Sequence, residues 1–472
     1  MAGRLLLFIL FSSTITVQGQ ETWNLSKCIE FGVDKNVLLK QAEFNLRNSA
    51  LTLKESKMQI LPNLSASVST GISIGRNIDP TTNTFITEDI IGGNYSLSTG
   101  VVLFNSGALR NNIKLNQTLL LVNTKEYEQA LNDYSLQVAA NYLNVLLAEE
   151  RFTIAKKNLE IATLQANQLR KLVEIGSRAA ADALEMESAE ARAQQTLTLA
   201  ENALIQSSMT LKQVLRYNLN TELKLEKISE AELRNIINES YSSVDLYNIA
   251  VANQPGIQSA ELRLKANDYQ IKIARAQYFP TLSGFGNIAS RYSDAAVIPT
   301  EFGTRTETIN AKVNGTPLLI ELEQPTIIKT EIIPFGKQFD QFLGYNFGIG
   351  LNVPIFNNYS TTANVKRAEI QKEQATLDVD TRKQNLNFDI IQAVSNVKLA
   401  IKELEAAQKS TDLSKLVYDN TTKKYNIGSS NNFELTTART NFENAEVSLL
   451  ISKYDLLFKQ KVLDLYAGKK LK

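Results

Sequence analysis

Two hydrophobic periods follow one another along this chain, and the succession occurs twice. Over residues 25–60, and again over 244–278, Ala, Leu and Ile recur at spacings of three and four, which predicts amphipathic helices. Pro62 and Pro280 then stop helix propagation. A period of two follows. In 64–74 the even positions Leu64, Ala66, Val68, Ile72 and Ile74 are apolar, and the odd ones are Ser65, Ser67, Ser69, Gly71 and Ser73. In 95–103, Tyr95, Leu97, Val101 and Leu103 face away from Ser96, Ser98 and Gly100. In 345–353, Tyr345, Phe347, Ile349, Leu351 and Val353 alternate with Asn346, Gly348, Gly350 and Asn352. The segment 282–292 is less regular, because Phe285 falls out of phase. Four strands are predicted.

The helical period then resumes over 106–172 and 358–424 without a proline, long enough for ~100 Å of helix each. Each rod ends at a glycine turn: Ile175-Gly176-Ser177-Arg178 in the first and Ile427-Gly428-Ser429-Ser430 in the second. A return helix follows, over 180–217 and 433–466. Apolar residues every seven positions, Leu147, Ile154 and Ile161 and their counterparts Leu399, Ala406 and Leu413, predict hairpin packing of coiled-coil type.

The two successions are copies. Ala42/Ala260, Glu43/Glu261, Leu46/Leu264, Pro62/Pro280 and Ser65/Ser283 match at one offset, and Phe104/Phe356, Asn144/Asn396, Lys171/Lys423 and Gly176/Gly428 at a longer one. The added residues lie between about Ser290 and Gln341, so one layout is present twice. The division expected is a signal segment 1–20, a first repeat 21–217, a connector 218–243, a second repeat 244–466 with a longer loop 291–341, and a tail 467–472.

Composition narrows the chemistry. Fifty basic residues against 49 acidic ones give no electrostatic case for nucleic acid. Histidine is absent and cysteine occurs once, which removes His-based zinc sites, Cys/His dyads and intramolecular disulfides. No cofactor, metal site or catalytic residue is expected. Arg4 followed by the apolar run 5–11 and small or polar residues reads as a secretory signal. Cys28 stands too far past that run for acylation and reads as a buried helix residue.

A soluble sheet with one face on a core would also alternate. Here the polar faces are Ser, Gly and Asn rather than Lys or Glu. The segments are ~9–11 residues long with aromatics at their ends (Tyr95, Phe104, Tyr345, Phe356), which suits strands crossing a membrane. Four strands cannot close a barrel, and an edge facing lipid would leave backbone groups unpaired at several kcal/mol each. The strands are therefore expected to be shared within an oligomer.

The order of these features resembles the TolC-like outer-membrane efflux proteins over essentially the whole chain past the signal. The features that carry it are Trp23-Asn24-Leu25-Ser26-Lys27-Cys28-Ile29, the junctions Leu61-Pro62 and Phe279-Pro280, the strand ends Leu103-Phe104-Asn105-Ser106-Gly107 and Val353-Pro354-Ile355-Phe356-Asn357, and the two glycine turns. The resemblance implies an α+β fold of long α-helical hairpins forming a periplasmic α-barrel, with four membrane strands per chain completing a 12-stranded barrel in a homotrimer. It implies an exit duct of a tripartite efflux or type I secretion system. The expected partners are outer-membrane lipids, a periplasmic adaptor protein meeting the turns at Ile175, Gly176, Ser177, Arg178, Ile427, Gly428, Ser429 and Ser430, and an inner-membrane pump.

It further implies a lumenal constriction just after the turns. Glu434 matches an acidic position there, Thr437 stands where a second acid is common, and Asp182 and Glu185 are the first-repeat equivalents. Acids in a first helical turn also stabilise the helix N-terminus, so both readings of them stay open. Arg178 stands where a basic residue helps hold the entrance shut. The rival readings are a secreted coiled-coil scaffold that enters no membrane and a secreted hydrolase using carboxylates, although no paired acids stand in a cleft-like context.

Overall fold

The computed structural model describes residues 22–78, 83–228 and 242–469. The expected signal, half of the connector and the last residues of the tail lie outside the described residues. The chain forms two compact units, one of residues 1–50, 118–265 and 373–472 and the other of 51–117 and 266–372.

The first unit is helical. Where one helix was expected over 25–60, α1 (Leu25–Val33) and α2 (Val37–Met58) are separate. Asn24 caps α1 by accepting from the Lys27 N–H at 2.9 Å, and Asn36 accepts from Leu39 N–H at 3.1 Å, starting α2 afresh. The second repeat breaks likewise, into α5 (Ser243–Asn253) and α6 (Pro255–Ala276). Gln254 is extended, as a residue preceding proline prefers, and Pro255 takes the first helical position, where no N–H is needed.

The rods are α3 (Ala108–Glu174) and α8 (Ser360–Asn426), each of 67 residues, and the return helices are α4 (Ala180–Leu215) and α9 (Asn432–Tyr466). Both rods end identically. Gly176 and Gly428 sit at φ 74° and 76°, and Ser177 N–H and Ser429 N–H reach back to Leu172 O and Lys424 O, each at 2.8 Å. A side chain would be strained at either glycine, which is why the turn residue is the same in both copies.

The expected heptad line is displaced. In α3 the buried seam is Ala148, Ala155, Ala162 and Leu169, one position along, with Leu147 and Ile154 flanking it. In α8 it is Ile390, Val397, Leu404 and Thr411, and Leu399 and Leu413 are more than half exposed. Alanine at the seam of α3 lets backbones approach closely, so the bulkier residues beside it need not enter. The core gathers Cys28, Tyr134, Val138, Tyr142, Leu146, Leu211, Leu215, Leu246, Ile390, Leu456 and Leu457. Trp23 joins it through a parallel bridge to Leu225, and Tyr142 donates to Glu226 O at 2.7 Å.

The second unit carries a four-stranded antiparallel sheet, ordered β1 (Asn63–Ser73), β4 (Ile90–Phe104), β5 (Thr281–Ser293), β8 (Gly344–Asn352). Between the first two lies a short ribbon, β2 (Arg76–Ile78) with β3 (Phe85–Thr87). Register settles the faces. Ala66, Leu97, Ile288 and Tyr345 form one row, and Ser65, Ser98, Asn287 and Asn346 the next. The apolar residues thus share one face across all four strands. Phe285 falls on the polar face because Gly348 lies opposite it; its ring would be 3.0 Å from a side-chain carbon there.

The stretch 291–341, expected only as a longer loop, is ordered structure. β6 (Val297–Val313) and β7 (Thr316–Ile332) pair along their length around Asn314-Gly315, both at positive φ, followed by α7 (Phe335–Gln341). Asn-Gly supplies the two positive-φ residues that a tight hairpin turn between strands requires. Gln338 in α7 is fully buried. Its side chain accepts from Ser293 N–H at 2.9 Å and donates to Ser293 O at 2.8 Å and Ile333 O at 2.7 Å, fixing the root of the ribbon to β5.

Candidate functional site

The turn residues are the most exposed apolar positions of the helical unit: Ile175 is 76% and Ile427 80% exposed. Directly behind them the two repeats are joined. The Arg178 guanidinium lies over the Tyr425 ring, 5.5 Å from its centroid. Asn432, buried, donates to Asp182 O at 3.4 Å, and its Oδ1 has no partner among the described residues. Burial raises the Tyr425 phenol above the usual range; Arg178 opposes this, and Asp182 and Glu185 add to it. Beneath lies a small cluster of Ala166, Leu169, Met186 and Leu435.

The four constriction candidates do not form one cluster within a chain. Glu185 and Thr437 line the same open groove of about 400 Å³, with Arg192 and Phe433. Asp182 lies beside Tyr425 and Asn432 instead. Glu434 accepts from Ser430 Oγ at 2.5 Å, and its own N–H donates to Asn431 Oδ1 at 2.8 Å. Asn431 is thus the cap of α9 and Glu434 sits in its first turn, a role legible in the spacing Asn431-x-x-Glu434. Tyr425 and Asn432 had no such sequence signal, since their partners lie in the other repeat.

Three surfaces leave apolar side chains exposed. On α8, Leu377 (67% exposed), Phe388 (66%), Leu399, Leu413 and Val417 fall on one stripe at helical winding, opposite to the buried Ile390, Val397 and Leu404. On α4, Leu184, Ile205 and Met209 make a second exposed apolar line. In the sheet, β1 and β8 each have an edge unpaired among the described residues, and Leu64, Val68, Ile72, Tyr345, Phe347, Ile349 and Leu351 are exposed on its apolar face. No helix among the described residues is long and apolar enough to cross a membrane.

The chain matches the family described as outer membrane efflux protein over residues 34–215 and 246–469. It is 19% identical to the outer membrane efflux protein BepC of Brucella suis biovar 1 (strain 1330) over 365 residues, which is 77% of this chain and 70% of that one. Its fold is similar to that of CusC, with a TM-score of 0.74 at 17% identity, covering 94% of this chain and 92% of that one. It is similar also to that of the outer membrane protein VceC of Vibrio cholerae, with a TM-score of 0.73 at 13% identity, covering 95% and 97%.

Proposed function

The chain belongs to the outer membrane efflux protein family, and from that premise we propose that three copies form one head-to-tail ring enclosing a duct. It is an outer-membrane efflux protein that extends into the periplasm, the exit duct of an efflux system, a family of channels rather than of enzymes. The secreted scaffold and the hydrolase do not fit that membership.

The observation that carries the ring is the sheet, which has one continuous apolar face and two open edges. Edges in lipid are intolerable, and twelve strands from three copies close without one. The edges are unlike, β1 on one side and β8 on the other, so copies pair heterologously and a ring results. Within the helical unit, the α8 and α4 stripes are likewise two different apolar surfaces, suited to meeting each other between neighbours. Ser65, Ser98, Asn287 and Asn346 then line a wet interior.

The turns at Ile175-Arg178 and Ile427-Ser430 meet the adaptor, and an inner-membrane pump completes the assembly. Exposed isoleucines flanking a glycine supply small apolar knobs for a helical partner. The Arg178–Tyr425 and Asn432–Asp182 contacts act as a latch that keeps the entrance narrow, and Glu185, Thr437 and Glu434 belong to the constriction, where carboxylates favour cations. The test is conductance of the purified protein in a planar bilayer: discrete ion-conducting steps are expected, and a protein that inserts yet never conducts would contradict the duct.

A further inference from the structure

We propose that the β6–β7 ribbons of the three copies pack on one another near their tips and form a cap over the outer mouth of the duct. This rests on the ring proposed above. The ribbon leaves the sheet from the end of β5 opposite to the α6 junction, so its root lies at the other end of the strand from that junction. Its root is held by buried Ala296 and Ile333, with Ile333 N–H donating to Ala296 O at 2.9 Å, and by Gln338.

Beyond the root, among the described residues, no other element packs substantially against it. A lone two-stranded ribbon is marginal in water, yet this one pairs over 17-residue strands. Near its tip one face is aliphatic: Ile309 pairs with Ile320, Ala311 with Leu318, and Leu322 stands opposite Glu307 on the same face. Ile309, Ile320, Leu318 and Leu322 are 41%, 37%, 50% and 43% exposed.

Three considerations identify the occupant as further copies of this ribbon. From Ala296 to Ile309 the strand climbs about 40 Å, beyond a sheet whose strands already match the membrane's apolar thickness, so lipid does not reach the patch. The paired residues Ile309, Ala311, Leu318 and Ile320 carry no charge, so identical patches meet without repulsion. The ribbon also leads, through α7, into β8, the edge strand that faces the neighbouring copy in the proposed ring, so the ring holds sister ribbons at high effective concentration.

The experiment is oxidative crosslinking of the full protein in detergent, with Cys28→Ala removing the one native thiol. Leu318→Cys places a thiol in the patch, Ile309→Cys a second one, and Thr308→Cys one on the opposite face of the ribbon. A copper-catalysed oxidant is expected to convert Leu318→Cys or Ile309→Cys into covalent dimers several-fold more than Thr308→Cys. A particle with trimer mass that gives no dimer from either patch variant, or equal dimer from both faces, would overturn the cap and leave the ring standing. A monomer mass in the same sample would overturn the ring and the cap with it.

Discussion

The guanidinium of Arg178 and the ring of Tyr425 meet at 5.5 Å across the two repeats, immediately behind the turns where the helical unit ends. A cation–π contact at such a partly exposed place contributes up to about 1 kcal/mol. Three copies opening together would lose about 3 kcal/mol, two orders of magnitude in the closed-to-open equilibrium. Arg178→Ala is therefore expected to raise open-channel occupancy in bilayer recordings strongly, and Tyr425→Phe, which keeps the ring, to leave it nearly unchanged. Equal effects from both would place the latch elsewhere.

Glu434 serves the α9 terminus and stands in the expected constriction. Its first-turn position contributes less than about 1 kcal/mol to the helix, so Glu434→Gln should melt almost as the parent does. If its carboxylate faces the permeating ions, the same change lowers the cation-to-anion permeability ratio several-fold, and Thr437→Asp raises it. Reversal potentials in a salt gradient read both. An unchanged ratio in Glu434→Gln would leave that carboxylate with its first-turn place beside Ser430 Oγ alone.

Gln338→Leu removes three hydrogen bonds at once and strands Ser293 N–H and Ile333 O in a buried place, while Ser293 O keeps the Ala296 N–H at 3.2 Å. At about 1–3 kcal/mol per unsatisfied group, α7 should detach from β5 while the rest of the sheet persists. Limited proteolysis would then cut near residues 333–343 in the variant far faster than in the parent. Equal resistance would show that the aromatic contacts of Phe335 and Phe339 with Tyr95 suffice.

Tyr134 is 4% exposed and donates to Val214 O at 3.2 Å. Burial pushes its phenol up to about 12, against the hydrogen bond with Asn36, which lowers it. Below the ordinary phenol range, near 10, both folded and unfolded chains hold the proton and the full stability is present. As pH rises from there the unfolded chain ionises first, and stability falls until the folded phenol also ionises. The thermal midpoint of the helical signal should drop between pH 10 and 12, less steeply in Tyr134→Phe. A slope identical in the two proteins would assign the loss to other groups.

Much of this fold was legible because periodicity is local. Prolines, glycine turns and alternation mark element ends within a few residues, and duplication doubles each signal. Helix breaks at Asn36 and Pro255 escaped because a capping side chain or an N1 proline interrupts the chain without disturbing its apolar period. The heptad line shifted because alanine is a weak hydrophobic signal but a strong packing one, so Ala148, Ala155 and Ala162 outcompete the larger residues beside them. At the site, Asn431-x-x-Glu434 could be read from spacing. Arg178–Tyr425 and Asn432–Asp182 could not, since they depend on how two distant repeats meet.

In the proposed ring, unlike edges meet between neighbouring copies, β1 with β8 and α4 with α8. The ring is decided by the mass of the protein extracted from outer membranes, determined in detergent with the detergent contribution subtracted. A monodisperse particle of three chains that requires detergent to stay in solution is expected. A monodisperse monomer that remains soluble without detergent would contradict it.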